Sequence, residues 1–371
     1  MSPASAPPFI AIGENVHASR TCPRRGSSMT SAGSPEALRF VDSVGAERTC
    51  PIAASIAQSA EFARGRVKHV KNALLLGLAG DGLISPARTG PVSAEAADDA
   101  RAYLITAAVR QEQAGARYID VNVDDIDEDA GVRCMAMAWL VGLLEPELGV
   151  PLSLDSSGPE VLEAGLRASR APSGPPLLNS AAPQRLEVLD LAAELHAGVV
   201  LSAVRGGGAP PGIEERLDCA ETMLEEALDR GLPAADCHVD LLVLPAGIDC
   251  GAGTTFLGAS RAFRAAHGRD IHITGGLSNI SFGLPARRVL NDTFVAMALD
   301  AGVDSGILDP LAVQLDRVAA MSRTSFGYRQ AAAVILGTDE HAANYLAAYR
   351  AGLLAAGERT EPVGSGVLRG R

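Results

Sequence analysis

The sequence has little positive charge and hardly any lysine. Lys68 and Lys71 are its only lysines, and lysine plus arginine total 32 against 44 for aspartate plus glutamate, which gives a formal net charge of −12 at pH 7. An acidic surface repels the phosphates of a nucleic acid. We therefore expect no nucleic-acid partner.

Several common signals are also missing. The six cysteines include no CxxC pair, so neither a zinc site nor a disulfide framework is predicted. The longest apolar stretch, around residues 72–79, is far shorter than the about 20 residues that cross a bilayer. The N-terminus has no basic region followed by an apolar segment. These absences predict a cytoplasmic enzyme or binding protein that does not contact a membrane.

Short apolar segments alternate with amphipathic helical patterns along most of the chain, and helices are predicted after Ser93, from Pro159, and around residues 213–228 and 290–301. Eight such segments are candidate strands, at residues 9–12, 118–121, 152–154, 177–178, 199–201, 238–242, 271–274 and 306–308. Nearly all-apolar strands that alternate with helices are typical of a parallel sheet covered by helices. Eight units favour a closed (β/α)8 TIM barrel of the α/β class over an open doubly wound sheet. No GxGxxG or GxxxxGK[ST] motif follows the first strand, so a nucleotide-binding fold is not indicated.

Two segments differ from this pattern. Residues 19–91 are rich in Ser, Gly, Pro and Arg, with one helix predicted around residues 61–78, and they form a long insertion after the first strand. The residues after 356 are rich in Gly and Arg. We therefore divide the chain into residues 1–92 (the first barrel strand plus the insertion), residues 93–355 (the rest of the barrel) and residues 356–371 (a flexible C-terminal tail).

Acidic and amide side chains follow most of the predicted strands, where the catalytic groups of a barrel lie. They are Glu14, Asn15, Asp120, Asn122, Asp155, Asn179, Asp240, Ser278, Asn279 and Asp309. One such residue is readily explained as the cap of the next helix, but capping alone does not explain so many at one mouth. No lysine or histidine recurs at these strand ends, which disfavours a phosphate-ester substrate or a Schiff-base mechanism.

Alternating carboxylates and carboxamides suit a flat, neutral heterocycle that carries N–H donors and ring acceptors. A carboxylate accepts two hydrogen bonds from an amino group and the adjacent ring N–H, whereas an amide donates and accepts at once. A pterin has such an edge, and a purine has a comparable one. The residues alone leave both open.

Several stretches resemble the methyltetrahydrofolate:corrinoid protein methyltransferases, which are pterin-binding barrels related to dihydropteroate synthase. The matching segments lie in order between residues 10–12 and 93–310, and they include Ile12-Gly13-Glu14, Asp120-Val121-Asn122-Val123, Leu154-Asp155-Ser156-Ser157, Leu178-Asn179-Ser180 and Gly276-Leu277-Ser278-Asn279-Ile280-Ser281-Phe282-Gly283, followed by Arg287. Three features depart from the family pattern. His17 stands where the family usually has asparagine, Leu241 replaces a proline, and residues 19–91 have no counterpart in the shortest members.

The resemblance implies a pterin-binding TIM barrel that moves a methyl group between N5 of tetrahydrofolate and the cobalt of a corrinoid. The corrinoid would be carried by a partner protein, and the reaction would serve one-carbon metabolism or catabolic demethylation. It also implies a homodimer and a site without a metal ion of its own. The implied pterin-edge ligands are Asp155, Asn179 and Asp240, with Asp120, Asn122, Ser278 and Arg287 lining the pocket.

Asn279 is the implied catalytic residue, as the polar group nearest N5. An amide anion is a poor leaving group, so N5 must be protonated or hydrogen-bonded as its methyl bond changes. A neutral carboxamide can donate to N5 without adding a fixed charge.

Three alternatives stay open. A dihydropteroate synthase-like condensing enzyme shares the barrel, although the lysine-free strand ends disfavour it. A non-catalytic pterin- or corrinoid-binding subunit of a demethylase system would also keep the pocket. A methyltransferase acting on a methoxylated or methylated growth substrate is disfavoured, because such enzymes need a metal and the sequence has no Cys/His cluster.

Overall fold

The computed structural model describes residues 9–30, 36–206 and 208–354, so the predicted flexible tail lies outside the described residues. The strands are β1 (Ile10–His17), β2 (Thr21–Pro23), β3 (Ala37–Val41), β4 (Glu47–Pro51), β5 (Arg66–Lys68), β6 (Tyr118–Asn122), β7 (Leu152–Asp155), β8 (Leu177–Ala181), β9 (Gly198–Ser202), β10 (Cys237–Asp240), β11 (His272–Thr274) and β12 (Ser305–Leu308). The helices are α1 (Ala54–Ala57), α2 (Ala60–Ala63), α3 (His69–Gly80), α4 (Ala94–Gln113), α5 (Ala130–Leu144), α6 (Pro159–Ala168), α7 (Glu187–Leu195), α8 (Ile213–Asp229), α9 (Ala252–His267), α10 (Arg287–Asp300), α11 (Leu315–Ala319), α12 (Phe326–Ile335) and α13 (Ala343–Arg350).

Eight strands form one parallel sheet in the order β11-β10-β9-β8-β7-β6-β1-β12. The two end strands meet just above β11, where Gly276 bridges Ile307 and the Ile307 N–H donates to the Gly275 carbonyl at 2.9 Å. The sheet therefore closes into the predicted (β/α)8 barrel. All eight predicted strand segments are confirmed, although β10 ends at Asp240, two residues before its predicted end, because Leu242 has a φ of 66°.

Local sequence signals explain where the barrel helices begin. Ser93 caps α4, its hydroxyl accepting from the Ala96 N–H, and Pro159 occupies the first turn of α6. The helices predicted after these two residues are confirmed. Among the described residues, no helix has the length and apolar character needed to cross a bilayer.

The first strand is longer than predicted. The sequence indicates a strand at residues 9–12, but β1 continues to His17 through a bulge between Gly13 and Val16. A Cβ at position 13 would lie 2.6 Å from Oε1 of Gln111, so glycine leaves room for that side chain. Gln111 Oε1 accepts from the Asn15 N–H at 2.9 Å and so satisfies a backbone donor inside the bulge.

The prediction of one helix around residues 61–78 is wrong. The chain forms α2, reverses at Gly65 with φ +81°, pairs as β5 with β2, and only then enters α3. Glycine adopts this left-handed conformation without strain, which explains the break. The α3 helix is buried on almost every side against α4 and α5, and its Gly77 lies against the ring of Trp139.

The lower end of the barrel interior is filled with apolar side chains. Ile12, Leu177 and Val200 are fully buried there, with Ile10, Tyr118 and Ile307 packed around them. Because inward-facing residues alternate along a strand, the next inward layer toward the carboxyl ends contains Asp120, Asn179 and Ser202. The barrel is therefore closed below by an apolar layer and polar at its mouth.

Candidate active site at the barrel mouth

Side chains from four neighbouring strands lie in one row at the mouth. His17 is in register with Asn122, Asn122 with Asp155, and Asp155 with Asn179. Asn122 donates to Asp155 Oδ2 at 3.0 Å, which joins two of the predicted residues directly. The strand-end pattern thus brings these polar groups together.

Asp120 lies two residues before Asn122 on β6 and is completely buried. Its Oδ1 accepts from Ser153 and, at 3.3 Å, from the Asn179 amide, while its Oδ2 lies 2.6 Å from His17 Nε2. A contact between β6 and β8, which are not neighbours, requires both side chains to point into the barrel. Asp120 is therefore a buried carboxyl that holds the neighbouring polar side chains of the site in place through hydrogen bonds.

Asp155 is the more available carboxyl. A quarter of its side chain is exposed, and Oδ2 lies 3.9 Å from His17 Nε2. Burial and the nearby Asp120 charge raise the pKa of Asp155 to about 7, against the opposing effects of His17 and Asn122. This carboxyl can therefore change its protonation state near neutral pH.

His17 is the group next to these carboxyls that can carry a positive charge. Burial disfavours the imidazolium, but the hydrogen bond to Asp120 and the charges of Asp120, Asp155 and Glu14 outweigh it and raise the pKa of His17. A protonated His17 between two carboxyls partly neutralises them.

Asp240 lies on the far side of the mouth, at the end of β10. Its Oδ1 accepts from the Leu242 N–H at 2.8 Å, and burial raises its pKa to about 6. The fully buried Arg216 of α8 donates to the Pro210 carbonyl at 3.0 Å and to the Leu241 carbonyl at 2.9 Å. Arg216 thus fixes the loops after β9 and β10 on either side of Asp240.

A 3-10 turn over Leu277–Ser281 follows β11 and carries the predicted Ser278 and Asn279. Asn279 is exposed at the mouth, whereas Ser278 is buried. Arg287 donates to the Ser281 hydroxyl at 2.9 Å and to the Ser278 carbonyl at 2.8 Å. The guanidinium therefore braces the turn that presents Asn279.

The remaining strand-end residues are paired with one another or with the insertion. The Asn15 amide donates to Asp309 Oδ1 at 2.7 Å, and this contact links β1 to the loop after β12. Glu14 accepts from Arg20 at 2.9 Å. These side chains complete the rim beside His17.

The expectation of a mouth with little positive charge is incomplete, because further cations reach it from outside the strand ends. Arg185 donates to the Ser156 carbonyl at 2.9 Å and to the Ser180 hydroxyl at 2.7 Å. The insertion brings Lys68 to 2.8 Å from the Asp125 carboxylate, and Lys71 to the Asp125 carbonyl. All three are engaged by protein groups rather than free for a phosphate.

His17 and Ser153 also belong to the site, although neither was among the predicted site residues. His17 lies beyond the predicted end of its strand, so the strand-end rule did not select it. Ser153 is an ordinary small residue inside a strand, and its register opposite Asp120 was the only available signal.

A histidine and two carboxyls this close together also resemble a cation-binding group. Here both Asp120 oxygens already interact with Ser153, Asn179 and His17. We interpret His17, Asp120 and Asp155 as a hydrogen-bonded charge cluster that is complete within the protein.

The chain is similar in sequence to one family model and to several named proteins. Residues 92–309 match the family model described as pterin binding enzyme. A methylcorrinoid:tetrahydrofolate methyltransferase from Eubacterium limosum is 30% identical over 260 residues, covering 68% of this chain and 88% of that protein. A methionine synthase from Mycobacterium leprae is 28% identical over 237 residues, and the match covers 60% of this chain but only 19% of that much longer protein.

Solved structures of dihydropteroate synthase also match. The enzyme from Stenotrophomonas maltophilia is 18% identical with a TM-score of 0.49, and the match covers 60% of this chain and 87% of that one. The enzyme from Xanthomonas albilineans, in complex with 7,8-dihydropteroate, is 18% identical with a TM-score of 0.48, covering 60% and 84%. The barrel topology itself follows from the strand order given above.

Proposed function

The chain belongs to the pterin-binding enzyme family, and from that premise we propose that it is a methyltransferase acting between tetrahydrofolate and a corrinoid. The methyl group would pass between N5 of the folate and the cobalt of a corrinoid carried by a partner protein. The name of the Eubacterium limosum relative describes this reaction, and the match covers 88% of that protein, which supports the proposal.

The observation that carries the proposal is the ring of acids and amides at the mouth above an apolar floor. Asp155 has one oxygen held by Asn122 and is partly exposed. Asp240 faces the mouth from the other side. A carboxylate accepts the pterin amino group and the adjacent ring N–H together, and an amide such as Asn179 serves donors and acceptors on the same edge. The apolar floor is suited to the underside of a flat ring.

Asn279 is the group that we propose for the chemical step. As the methyl group forms its bond to Co(I), the electron pair of its bond to N5 stays on the nitrogen, which takes a proton from solvent to give tetrahydrofolate. A hydrogen bond donated to N5 strengthens as that charge develops. The turn that carries Asn279 is fixed by Arg287 through two hydrogen bonds. The amide is thereby held near the mouth without a fixed charge that would oppose protonation.

The cobalt is a substrate in this reaction and must approach from solvent. Two exposed apolar side chains stand on adjacent mouth loops, Ile248 at 82% exposed and Phe282 at 62%. The loops are joined by a hydrogen bond of 3.0 Å from the Ala246 N–H to the Ile280 carbonyl. We call Ile248 and Phe282 the apolar rim. Phe282 follows Asn279 by three residues, so the position of this rim supports docking of the corrinoid partner beside the reacting methyl.

The compartment, pathway and assembly are part of the same proposal. The six cysteines are all free, which suits the reducing cytoplasm. We further propose a homodimer and a role in one-carbon metabolism or catabolic demethylation, with the direction set by whether methyl-corrinoid or methyl-folate is supplied. Light scattering of the purified chain would test the dimer.

The deciding experiment is to combine the protein with 5-methyltetrahydrofolate and chemically reduced cob(I)alamin, and to follow the cobalt spectrum. Conversion to methylcobalamin that depends on protein concentration supports the proposal. If folate binds but methyl is not transferred, the chain is a pterin-binding subunit without this activity.

A further inference from the structure

His17 brings an imidazole from the end of β1 to the acids and amides of the mouth. Its Nε2 lies 2.6 Å from Asp120 Oδ2 and 3.9 Å from Asp155 Oδ2, and the side chain is 19% exposed. One imidazole therefore faces two carboxyls on two different strands. An asparagine could donate to one of them but could not supply a positive charge.

The two carboxyls play different parts in the cluster. Asp120 is fully buried and accepts from Ser153 and Asn179, so its partners are all protein groups. Asp155 accepts from Asn122 through Oδ2, and no hydrogen bond to its Oδ1 comes from any residue that the structure describes. Its free oxygen and partial exposure make Asp155 the carboxyl that is available to a ligand.

We propose that His17 is a positioning residue for the pterin, whose imidazolium is hydrogen-bonded to Asp120, lies 3.9 Å from Asp155 and keeps the Asp155 carboxylate ionised for the amino edge of the ligand. This inference rests on the proposed function, because it assigns Asp155 a pterin ligand. A pterin amino group and ring N–H are donors, so they need the ionised carboxylate. Without a cation nearby, two carboxyls in one buried cluster do not both stay ionised near neutral pH.

The carboxylates that interact with His17 all favour its protonated form. Negative charges reach it from Glu14 on its own strand, Asp120 on β6 and Asp155 on β7. The β12 side contributes Asp309, which is occupied by Asn15, and α4 contributes the neutral Gln111. The nearby cations have partners of their own: Arg20 pairs with Glu14, Arg185 donates to Ser156 and Ser180, and the Lys71 ammonium of α3 is engaged by the Asp125 carbonyl. Arg185 interacts with Asp155 through its charge but makes no hydrogen bond to it. The imidazole is therefore the cation in contact with the Asp120–Asp155 pair among the described residues.

The test is the pH dependence of 5-methyltetrahydrofolate binding by calorimetry, from pH 5.5 to pH 9, for the wild-type protein and His17→Asn. Wild-type affinity should be nearly constant above pH 7.5 and should fall below pH 7, where Asp155 takes up a proton. In His17→Asn the fall should begin at least one pH unit higher. At pH 7 its affinity should then be about fivefold weaker, with the two proteins converging near pH 9.

A purely structural role gives a different result. If His17 only shapes the pocket, His17→Asn weakens binding by the same factor at every pH, and this outcome overturns the inference. Equal affinity of the two proteins at every pH overturns it as well. Wild-type protein that binds no folate at any pH would contradict the proposed function instead.

Two further measurements keep the test decisive. His17→Gln retains a donor for Asp120 without the charge, so it should shift the binding profile in the same direction even if His17→Asn folds poorly. Infrared spectroscopy needs no folate. At pH 7.5 His17→Asn should show a stronger protonated carboxyl band than the wild-type protein, and the double variant His17→Asn/Asp155→Asn should lack it. Absence of that band contradicts the inference whatever the binding result.

A matched control is available in another histidine–carboxylate pair. His267, at the carboxyl end of α9, lies 2.7 Å from Glu221 of α8, at the end of the barrel opposite the mouth. His267→Asn should leave the binding profile unchanged, because this histidine has no contact with the proposed pterin ligands.

Discussion

At the scale of single residues, the site combines carboxyls that differ in availability. Asp120 is buried and saturated with donors, whereas Asp155 and Asp240 each keep an oxygen for a ligand and have raised pKa values. The strand-end rule could predict the grouping of Asp120, Asn122, Asp155 and Asn179, because register in a parallel barrel places such residues side by side. It could not predict their ionisation, which depends on burial and on His17.

Replacing Asn279 by alanine tests the proposed catalytic amide. Removal of a donor that acts mainly in the transition state typically costs about 10²–10³ in rate. Asn279→Ala should therefore lower the rate of methyl transfer by about that factor while keeping most of the affinity for 5-methyltetrahydrofolate. Stopped-flow spectroscopy of cobalt and calorimetry measure the two quantities. Equal losses in rate and affinity would reduce Asn279 to a binding residue.

Asp155→Asn should weaken folate binding and yet raise the melting temperature at pH 8. The folded carboxyl takes up its proton near pH 7 but the unfolded one only near pH 3.8, so the folded state binds more protons between these values. Stability from this group is therefore present at low pH and is lost as the pH rises through about 7. An asparagine at this position would not ionise, so Asp155→Asn keeps this stability at pH 8.

Differential scanning calorimetry at pH 8 and pH 5 measures this effect, and the difference between the two melting temperatures should be clearly smaller at pH 5 than at pH 8. The control is Asp229→Asn, which changes an exposed carboxyl at the end of α8. It should follow the wild-type protein at both pH values. A lower melting temperature for Asp155→Asn at pH 8 would show that the ionised carboxylate stabilises the free protein.

At the scale of elements, periodicity predicts the barrel strands and the helices α4, α6, α8 and α10, but not the insertion. Barrel elements have regular apolar faces because each packs on the sheet. In the insertion, α3 is covered by α4 and α5, and so it lacks a polar face. The β2–β5 and β3–β4 pairs are only three to five residues long, which is too short for an alternation pattern to stand out. The bulge in β1 likewise depends on the distant Gln111.

Gly77 tests how closely the insertion is packed on the barrel. A Cβ at this position would lie 2.5 Å from Cη2 of Trp139 on α5, so Gly77→Val should destabilise the protein by about 1–3 kcal/mol. Gly142→Ala is the control, because Gly142 is exposed in α5 and its added Cβ meets nothing within 4 Å. That change should stabilise by about 0.5–1 kcal/mol. Urea unfolding measures both, and a neutral Gly77→Val would mean that α3 and α5 separate easily.

If the apolar rim is where the corrinoid partner docks, a change in it should alter the rate of methyl transfer to the corrinoid without altering folate affinity. Ile248→Ser removes an apolar side chain that is almost fully exposed, so it should slow methyl transfer with the corrinoid partner protein several-fold and leave folate affinity unchanged. Val44→Ser is the control, because Val44 is 85% exposed at the tip of the β3–β4 hairpin. Equal rates for Ile248→Ser and the wild-type protein would remove Ile248 from the docking surface.

At the scale of the whole molecule, a closed barrel with an apolar floor leaves its mouth as the place where a flat ligand meets polar groups. The strand order creates this arrangement, and the family model covers residues 92–309, from just before α4 to the residue after β12. The insertion lies outside that match. It contributes α3 to the packing and Lys68 and Lys71 to the mouth, so it is physically part of the barrel's active end.

The central claim is methyl transfer between folate N5 and cobalt. Its most direct test is a single-turnover reaction with 5-methyltetrahydrofolate labelled with carbon-13 on the methyl group and cob(I)alamin in the presence of the protein. We expect labelled methylcobalamin and unmethylated tetrahydrofolate in equal amounts, at a rate that falls sharply in Asn279→Ala. Label that stays on the folate, in a protein that demonstrably binds it, would rule out this reaction.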